Sequence, residues 1–276
     1  MRFGLIIIGD EILSGKRADK HLAKAIELLS ARGLQLAYGD YVGDDPDRIT
    51  ATLERAFASG DAVFSCGGIG ATPDDHTRQC AARALGRPLQ LHPQADALIH
   101  ERMQDVAREH GLPYEPDRSD NQHRLNMGMF PQGAGIIPNP FNKIPGFYCT
   151  AGGELDGVGE RGGVLFFPGF PVMAWPMMEW VLDTHFSQHF VRDAWLEQSV
   201  VVFGAMESTL TPLMVEMEHQ HAVKVFSLPS VDHPQYGRHI ELGVKGTPDA
   251  VAVAFAALLS GLRSLGMQLG PELVRK

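Results

Sequence analysis

Three pairs of adjacent carboxylates each follow an apolar run that has the pattern of a buried strand. The pairs are Asp10 and Glu11, Asp44 and Asp45, and Asp74 and Asp75. In an open α/β sheet the carboxyl ends of parallel strands meet at one edge, where ligands bind. Mg²⁺ binds through one or two carboxylates while it shares the phosphate oxygens of a substrate. This placement predicts a divalent metal site at that edge, with three aspartates as ligands: Asp10, Asp44 and Asp75.

A glycine-rich segment lies immediately before the last of these pairs. In CGGIGATPDDHTRQ, residues 66–79, the glycines Gly67, Gly68 and Gly70 separate a predicted strand from a predicted helix. Glycine lets the backbone approach a ligand closely, and the N–H groups at a helix N-terminus favour phosphate. The spacing matches neither the dinucleotide-binding fingerprint nor the Walker A loop. It still indicates a phosphate site, and a metal ion would reconcile that phosphate with the two aspartates.

The aspartates also have a structural interpretation. Thr72 and Asp75 fit a capping box with Thr72 as the N-cap and Pro73 at the first helical position. Acidic residues in a first helical turn are favoured by the helix dipole as well. Capping would explain one aspartate, but it requires neither both of them nor the glycines before them. Both interpretations stay open on sequence alone.

The elements that must position these residues alternate between strand and helix over the first 90 residues. Apolar runs at 3–9 and 61–68 indicate strands buried on both faces, and a helical pattern follows each. This repetition predicts an α/β fold with a mostly parallel sheet. The tail has a β-α-β-β-α order, which is typical of a small split βαβ unit. We therefore expect a main domain over residues 1–190 and a small α+β domain over 195–276.

Composition argues against several classes of protein. The 276 residues carry a formal net charge of −9, which disfavours a nucleic-acid partner. The three cysteines form no CxxC pair, which indicates free thiols in a reducing compartment. The N-terminal apolar run is too short for a signal peptide, and no stretch approaches the roughly 18 apolar residues of a membrane span. We expect a soluble, cytoplasmic protein that binds neither nucleic acid nor membrane.

Several segments together resemble one family. They are GDEILSG, VGDD, GGIGATPDDHT, IIPNPFNKIPGF, LFFPGFP and, in the tail, GAMESTL. Over nearly the whole length of the chain, these segments make it similar to the molybdopterin-binding-type domain of the competence/damage-inducible protein A (CinA) family. The resemblance implies a three-layer α/β sandwich that binds a pterin or a nucleotide pyrophosphate at the glycine-rich segment. CinA-type members are associated with metal-dependent hydrolysis of ADP-ribose-like pyrophosphates.

The resemblance also implies a set of site residues. The catalytic residues it implies are Asp75, Asp74 and Asp10. The ligand-binding residues it implies are Gly67, Gly68, Gly70, Thr72, Asp19, Asp44, Asn139 and Lys143. Lys20, His21 and His76 are further candidates for contact with a phosphate, although a surface histidine without a function is the commoner case.

The chain departs from the family pattern at several positions. Ala71 replaces a usual proline, and Asn142 and Lys143 stand where glycine and threonine are typical. Val172 and Met173 stand where the family normally has serine and glutamate, so this loop loses a carboxylate. The chain ends after the small domain, so we do not expect the separate amidohydrolase domain of full-length CinA proteins or its deamidation of nicotinamide mononucleotide.

The sequence thus predicts a CinA-like protein that hydrolyses nucleotide pyrophosphates such as ADP-ribose with Mg²⁺ or a similar divalent metal. The alternative is a non-catalytic protein that binds molybdopterin or a nucleotide, which the loss of the glutamate at Met173 favours. Either way, binding of a phosphate ligand should need a divalent cation. We also expect a homo-oligomer, with a dimer favoured.

Overall fold

The computed structural model describes residues 1–153, 155, 157–191 and 196–275. The chain divides into two units, Met1–Phe190 and Val191–Lys276. The predicted limits of the small domain, Trp195 and Lys276, lie outside the described residues. In the described part of the chain, no helix combines the length and the apolar character needed to cross a membrane.

The first unit is built on a six-stranded sheet in the order β2-β1-β3-β8-β7-β6. Its strands are parallel from β2 to β8, whereas β7 runs antiparallel to both of its neighbours. Two further strands, β4 and β5, form a separate antiparallel pair. The strand bounds are β1 Phe3–Ile8, β2 Leu36–Val42, β3 Ala62–Cys66, β4 Leu89–Leu91, β5 Met129–Pro131, β6 Gly135–Ile137, β7 Gly146–Cys149 and β8 Gly163–Phe167.

Helices cover both faces of this sheet. Their bounds are α1 Asp10–Leu13, α2 His21–Ser30, α3 Pro46–Ser59, α4 Thr77–Leu85, α5 Pro93–Glu109, α6 Ser119–Leu125, α7 Val158–Arg161 and α8 Pro171–His185. Alternate residues of β1 enter different cores: Leu5 packs in the core that contains α2 and α8, and Ile6 packs in the core that contains α3 and α4. Because β1 is buried on both faces, it consists of a continuous apolar run. The predicted three-layer α/β fold is confirmed.

One predicted helix start is wrong. The capping box places the start of α4 at Thr72, but the helix begins at Thr77, with His76 at the N-cap position. Residues 72–75 instead form a turn, in which the Asp75 N–H donates to the Thr72 carbonyl at 3.1 Å. Asp75 reaches back to the Thr72 N–H as a capping-box acid does, yet residues 72–76 are not helical and α4 starts only at Thr77. Asp75 therefore shapes the loop before the helix.

The second unit has a four-stranded antiparallel sheet in the order β10-β11-β9-β12. Its elements are β9 Leu196–Phe203, α9 Glu207–Gln220, β10 Lys224–His233, β11 Gly237–Gly246, α10 Pro248–Ser264 and β12 Gln268–Arg275. Its core packs α9 and α10 against β9 and β11, with Val202, Leu242 and Leu258 fully buried. The β-α-β-β-α order is as predicted, and the structure adds the final strand β12.

Candidate functional site

A cavity of about 430 Å³ lies at the carboxyl ends of the parallel strands of the first unit. Four strand-to-helix loops contribute to its lining, because neighbouring parallel strands all end at this edge. The contributing residues are Gly9 and Glu11 after β1, Asp44 after β2, residues 67–72 with Asp74 and Asp75 after β3, and residues 168–170 after β8. The three predicted glycines and four of the six paired carboxylates therefore meet at one cavity, whereas Asp10 and Asp45 lie outside its lining.

Residues 67–72, here called the glycine loop, are held by the start of α4. The Thr77 hydroxyl donates to the Gly67 carbonyl at 3.0 Å, and the Thr77 N–H donates to the Gly68 carbonyl at 3.0 Å. The Arg78 guanidinium donates to the Ile69 carbonyl. Three successive carbonyls thus point towards α4, so the backbone of the loop is fixed by the helix behind it.

The N–H groups of the same peptides are left free. None of the described peptide bonds is cis, so each N–H points away from the carbonyl of its own peptide. The N–H groups of Gly68, Ile69 and Gly70 therefore point away from α4, and no described residue accepts a hydrogen bond from them. Successive free N–H groups of this kind form a concave site for an anion. The glycine loop can bind a phosphate in this way.

Two of the glycines are required by the geometry of the loop. Gly67 and Gly68 have φ values of 106° and 68°, a conformation that residues with a side chain rarely adopt. A Cβ on Gly67 would lie 2.2 Å from the Ile8 carbonyl oxygen, and one on Gly68 would lie 2.1 Å from the Thr77 hydroxyl. The loop therefore packs against β1 and α4 too closely for any side chain.

The aspartates after the loop have different environments. One carboxylate oxygen of Asp75 accepts hydrogen bonds from the Thr72 N–H at 2.8 Å and from the Thr72 hydroxyl at 2.6 Å. Asp74 lines the cavity and is exposed. Asp75 consequently orders the loop, while its second oxygen and the Asp74 carboxylate keep the capacity to act on a ligand.

Asp10, Glu11 and Asp44, here called the acidic corner, lie where β1 and β2 end. The Asp10 N–H donates to the Asp44 carboxylate at 2.9 Å, and the Asp44 N–H donates to the Asp10 carboxylate at 3.2 Å. Partial burial raises the pKa of Asp44, and the negative charges of Asp10, Glu11 and Asp74 raise it further against the opposing hydrogen bond from the Asp10 N–H. The corner thus contains carboxylates that repel one another.

The donor set fits a metal ion only in part. Among the residues that the structure describes, no three His, Cys, Asp or Glu side chains are placed to hold a metal ion. Asp75 in particular is engaged with Thr72. A cation at Asp44 would have one or two protein carboxylates, which suits Mg²⁺ when substrate phosphates and water supply the remaining ligands. A cation there would also offset the burial and the neighbouring negative charges that raise the pKa of Asp44.

Comparison with known proteins agrees with this architecture. Residues 4–188 match the family model described as "Probable molybdopterin binding domain". The chain belongs to this family.

Individual relatives support the predicted likeness to CinA, which is confirmed. A protein of Caldivirga maquilingensis is 29% identical over 97% of this chain and 99% of its own length. A CinA-like protein of Anaeromyxobacter sp. strain K is 32% identical over 66% of this chain, which spans 40% of the length of that relative. The crystal structure of CinA, of unknown function, from Thermoplasma acidophilum is 28% identical, covers 66% of this chain and 98% of its own, and has a TM-score of 0.53.

Two of the expected ligand-binding residues make contacts within the protein. The Asp19 carboxylate accepts from the His21 and Leu22 N–H groups and from the Tyr41 hydroxyl, so it caps α2 and lies outside the cavity lining. Asn139 lines the cavity, but its amide group donates to the Ile144 carbonyl at 2.9 Å. These contacts hold the loops in the first unit that surround or approach the cavity.

Lys143 and the other basic candidates lie outside the cavity lining. The Lys143 ammonium forms ion pairs with Asp105 at 2.7 Å and Glu101 at 3.3 Å, both on α5, and is outside the cavity lining. His21 is buried, and its ring Nε2 lies 3.0 Å from the Gly169 carbonyl, so it orients the loop after β8. Lys20 is exposed, and His76 precedes α4.

Sequence reasoning missed Arg17, Phe170 and Arg78. Arg17 is the one basic side chain in the described lining, and its guanidinium carbon lies 5.7 Å from the Phe170 ring centroid. Phe170 is 55% exposed, which makes its ring face available to a planar ligand. An aromatic residue in the loop that follows a buried strand was the available signal for Phe170. No sequence signal marks Arg17 or the burial of Arg78, because both depend on contacts between distant segments.

Proposed function

We propose that this chain is a divalent-metal-dependent hydrolase of nucleotide pyrophosphates such as ADP-ribose. The observation that supports it most is the presence of free N–H groups and of carboxylates in one cavity. N–H groups attract a phosphate, whereas the carboxylates of Glu11, Asp44 and Asp74 repel it. A divalent cation between the carboxylates and a phosphate removes the conflict.

The residues of the cavity have distinct tasks in this proposal. The N–H groups of the glycine loop bind phosphate oxygens and stabilise the negative charge that develops when a P–O bond breaks. Asp44 holds the cation, and the hydrogen bonds between Asp10 and Asp44 set its position. The cation supplies Lewis acidity and a water of lowered pKa. Asp75 keeps the loop in shape through Thr72.

The other side of the cavity suits a planar ring. Phe170, Met173 and Ile144 line it, with the Arg17 guanidinium close to the Phe170 ring. A base or pterin stacks on an aromatic face and gains from a neighbouring arginine. This arrangement fits the heteroaromatic end of a nucleotide or of molybdopterin.

A second candidate is non-catalytic binding of molybdopterin or a nucleotide. It is favoured by Met173, which stands where the family pattern has glutamate. Its sulfur accepts a hydrogen bond from the Asn142 side chain at 3.4 Å. The start of α8 therefore adds no carboxylate to the cavity, and the catalytic metal would have one ligand fewer.

Release of AMP from ADP-ribose tests the two candidates. The assay adds Mg²⁺, Mn²⁺ or Co²⁺ in turn to the wild type, to Asp44→Asn and Asp75→Asn, and to Glu54→Gln as an exposed control on α3. We expect metal-dependent turnover that falls at least about 100-fold in the two aspartate variants and is unchanged in the control. No turnover by the folded wild type with any metal would reject the hydrolase and favour binding alone.

Two broader expectations stay predictions. The three cysteines are buried and free, which suits the predicted cytoplasmic location. We also expect a homo-oligomer, with a dimer favoured, and light scattering after gel filtration measures this directly. A monomer at assay concentration would contradict the expected oligomer and leave the cavity's chemistry unaffected.

A further inference from the structure

A buried cation lies directly behind the glycine loop. Arg78, the second residue of α4, is only 3% exposed. Its guanidinium donates to the Ile69 carbonyl, while its Nε has no hydrogen-bond partner among the described residues. Burial lowers the pKa of Arg78 to about 10, and the negative charge of Asp75 opposes this, so Arg78 stays charged at neutral pH.

This charge is poorly compensated within the described part of the chain. No carboxylate there forms an ion pair with Arg78. Other arginines of the first unit do have one, namely Arg2, Arg17, Arg32, Arg83, Arg102, Arg108 and Arg118. A buried charge without a partner is unfavourable, because protein atoms replace the water that would solvate it. An anion bound on the far side of the loop would supply the missing opposite charge.

The hydrogen bond to Ile69 also has a directional consequence. It holds the carbonyl of the Ile69–Gly70 peptide towards α4, so the Gly70 N–H of the same trans peptide points away from the helix. Gly70 lines the cavity, whereas Thr77 and Arg78 lie behind the lining. Arg78 therefore fixes the direction of the Gly70 N–H and also makes the electrostatic potential at the loop more positive.

We propose that Arg78 is the positioning residue of a phosphate subsite formed by the glycine loop, and that this subsite binds a single phosphate group without a divalent cation. The ligand class is inorganic phosphate or a phosphate monoester. The inference rests on the proposed function only in taking the ligand to be phosphorylated. It restricts the expected need for a cation to the acidic corner, where a second phosphoryl group would lie.

The test is a titration with inorganic phosphate in EDTA, followed through the backbone amide resonances of Gly68 and Gly70 by NMR. We expect these resonances to shift in the wild type. Arg78→Met keeps most of the side-chain volume and removes the charge, and we expect it to weaken phosphate binding at least tenfold. Arg78→Lys keeps the charge without the planar fork and should restore part of the affinity. Arg83→Met, on the exposed side of the same helix, is the matched control and should bind phosphate as the wild type does.

Adenosine, which has no phosphate, separates positioning from a general structural effect. We expect Arg78→Met to bind adenosine as the wild type does. Equal losses of adenosine and phosphate affinity in this variant would overturn the proposal, as would wild-type phosphate binding that occurs only with a metal ion. If Arg78→Met does not fold, the comparison of Arg78→Lys with Arg83→Met decides, because equal phosphate affinities in those two variants would also overturn it.

The outcome is independent of hydrolysis. Phosphate binding in EDTA that depends on Arg78, together with no AMP release from ADP-ribose, would support the subsite and reject the hydrolase. AMP release without any phosphate binding in EDTA would support the hydrolase and reject the subsite.

Discussion

The glycine loop and the acidic corner border the same cavity and present opposite electrostatics to it. Residues at the start of α4 donate hydrogen bonds to three carbonyls of the loop, and the buried Arg78 is one of these donors. The N–H groups of Gly68, Ile69 and Gly70 stay free. In the corner, Asp10 and Asp44 share two hydrogen bonds while their charges repel. The free N–H groups of the loop favour an anion, whereas the carboxylates of the corner favour a cation.

The largest effect is expected when the backbone of the loop is broken. In Gly67→Ala the new Cβ would meet the Ile8 carbonyl at 2.2 Å in a residue whose φ is 106°. We expect unfolding free energy to fall by about 3 kcal/mol and phosphate binding to be lost. Urea denaturation and phosphate titration measure the two effects.

A second glycine separates this steric clash from the strain of a positive φ. Gly86 ends α4 with φ 61° and has no heavy atom within 4 Å of a built Cβ. Gly86→Ala should cost only about 1 kcal/mol, from backbone strain alone, and should leave phosphate binding intact. Equal losses in the two variants would mean that close packing against β1 is unimportant to the loop.

A smaller effect on ligand affinity is expected at Phe170, which lines the cavity outside the glycine loop and the acidic corner. A change there should leave both charged regions unaltered, so it tests whether they act separately from the aromatic surface. Phe170→Ala removes the exposed ring beside Arg17 and should weaken adenosine binding about tenfold, the usual value of one stacked base. Phosphate binding at the loop and the metal dependence at the corner should not change. Calorimetric titrations with adenosine and phosphate measure both. Unchanged adenosine affinity would remove Phe170 from the site.

The sequence could predict which loops meet, because each buried strand is a continuous apolar run and each βα connection is short. It could not predict the start of α4, because Thr72 and Asp75 form a capping pair in a turn that is not helical. Arg78 carries no sequence signal, since its burial depends on the glycine loop folding over it. Strand β12 was missed because Pro271 and charged residues hide its pattern, which an edge strand tolerates.

The acidic corner should show a pH dependence that the loop lacks. The folded protein raises the pKa of Asp44, so it binds that proton more tightly than the unfolded chain does. The stabilising contribution of Asp44 is therefore complete below its ordinary pKa of about 3.9 and is lost as pH rises through the higher folded value. Asp44→Asn cannot ionise and should lack this loss.

The measurement is the unfolding free energy of both proteins between about pH 4 and neutral pH. The wild type should lose stability relative to Asp44→Asn as pH rises, and Mg²⁺ at neutral pH should restore stability to the wild type alone. If the difference in unfolding free energy between the two proteins does not change with pH, or shifts in favour of the wild type as pH rises, the hydrogen bond from the Asp10 N–H outweighs the effects that raise the pKa of Asp44.

The smallest effect is expected at Lys143, outside both regions. Its ammonium pairs with Asp105 and Glu101 on α5, and hydrogen bonds from Lys143 to these carboxylates raise its pKa. Because the pairs are exposed, Lys143→Gln should leave the unfolding free energy nearly unchanged. Ligand affinity should change less than about twofold if Lys143 makes no contact with the ligand. A tenfold loss of ADP-ribose affinity would instead mean that Lys143 leaves α5 to bind the ligand, as the family resemblance implies. In that case Lys143 would add a second positively charged side chain to the cavity beside Arg17. Less of the negative charge of the acidic corner would then remain for a metal ion to neutralise.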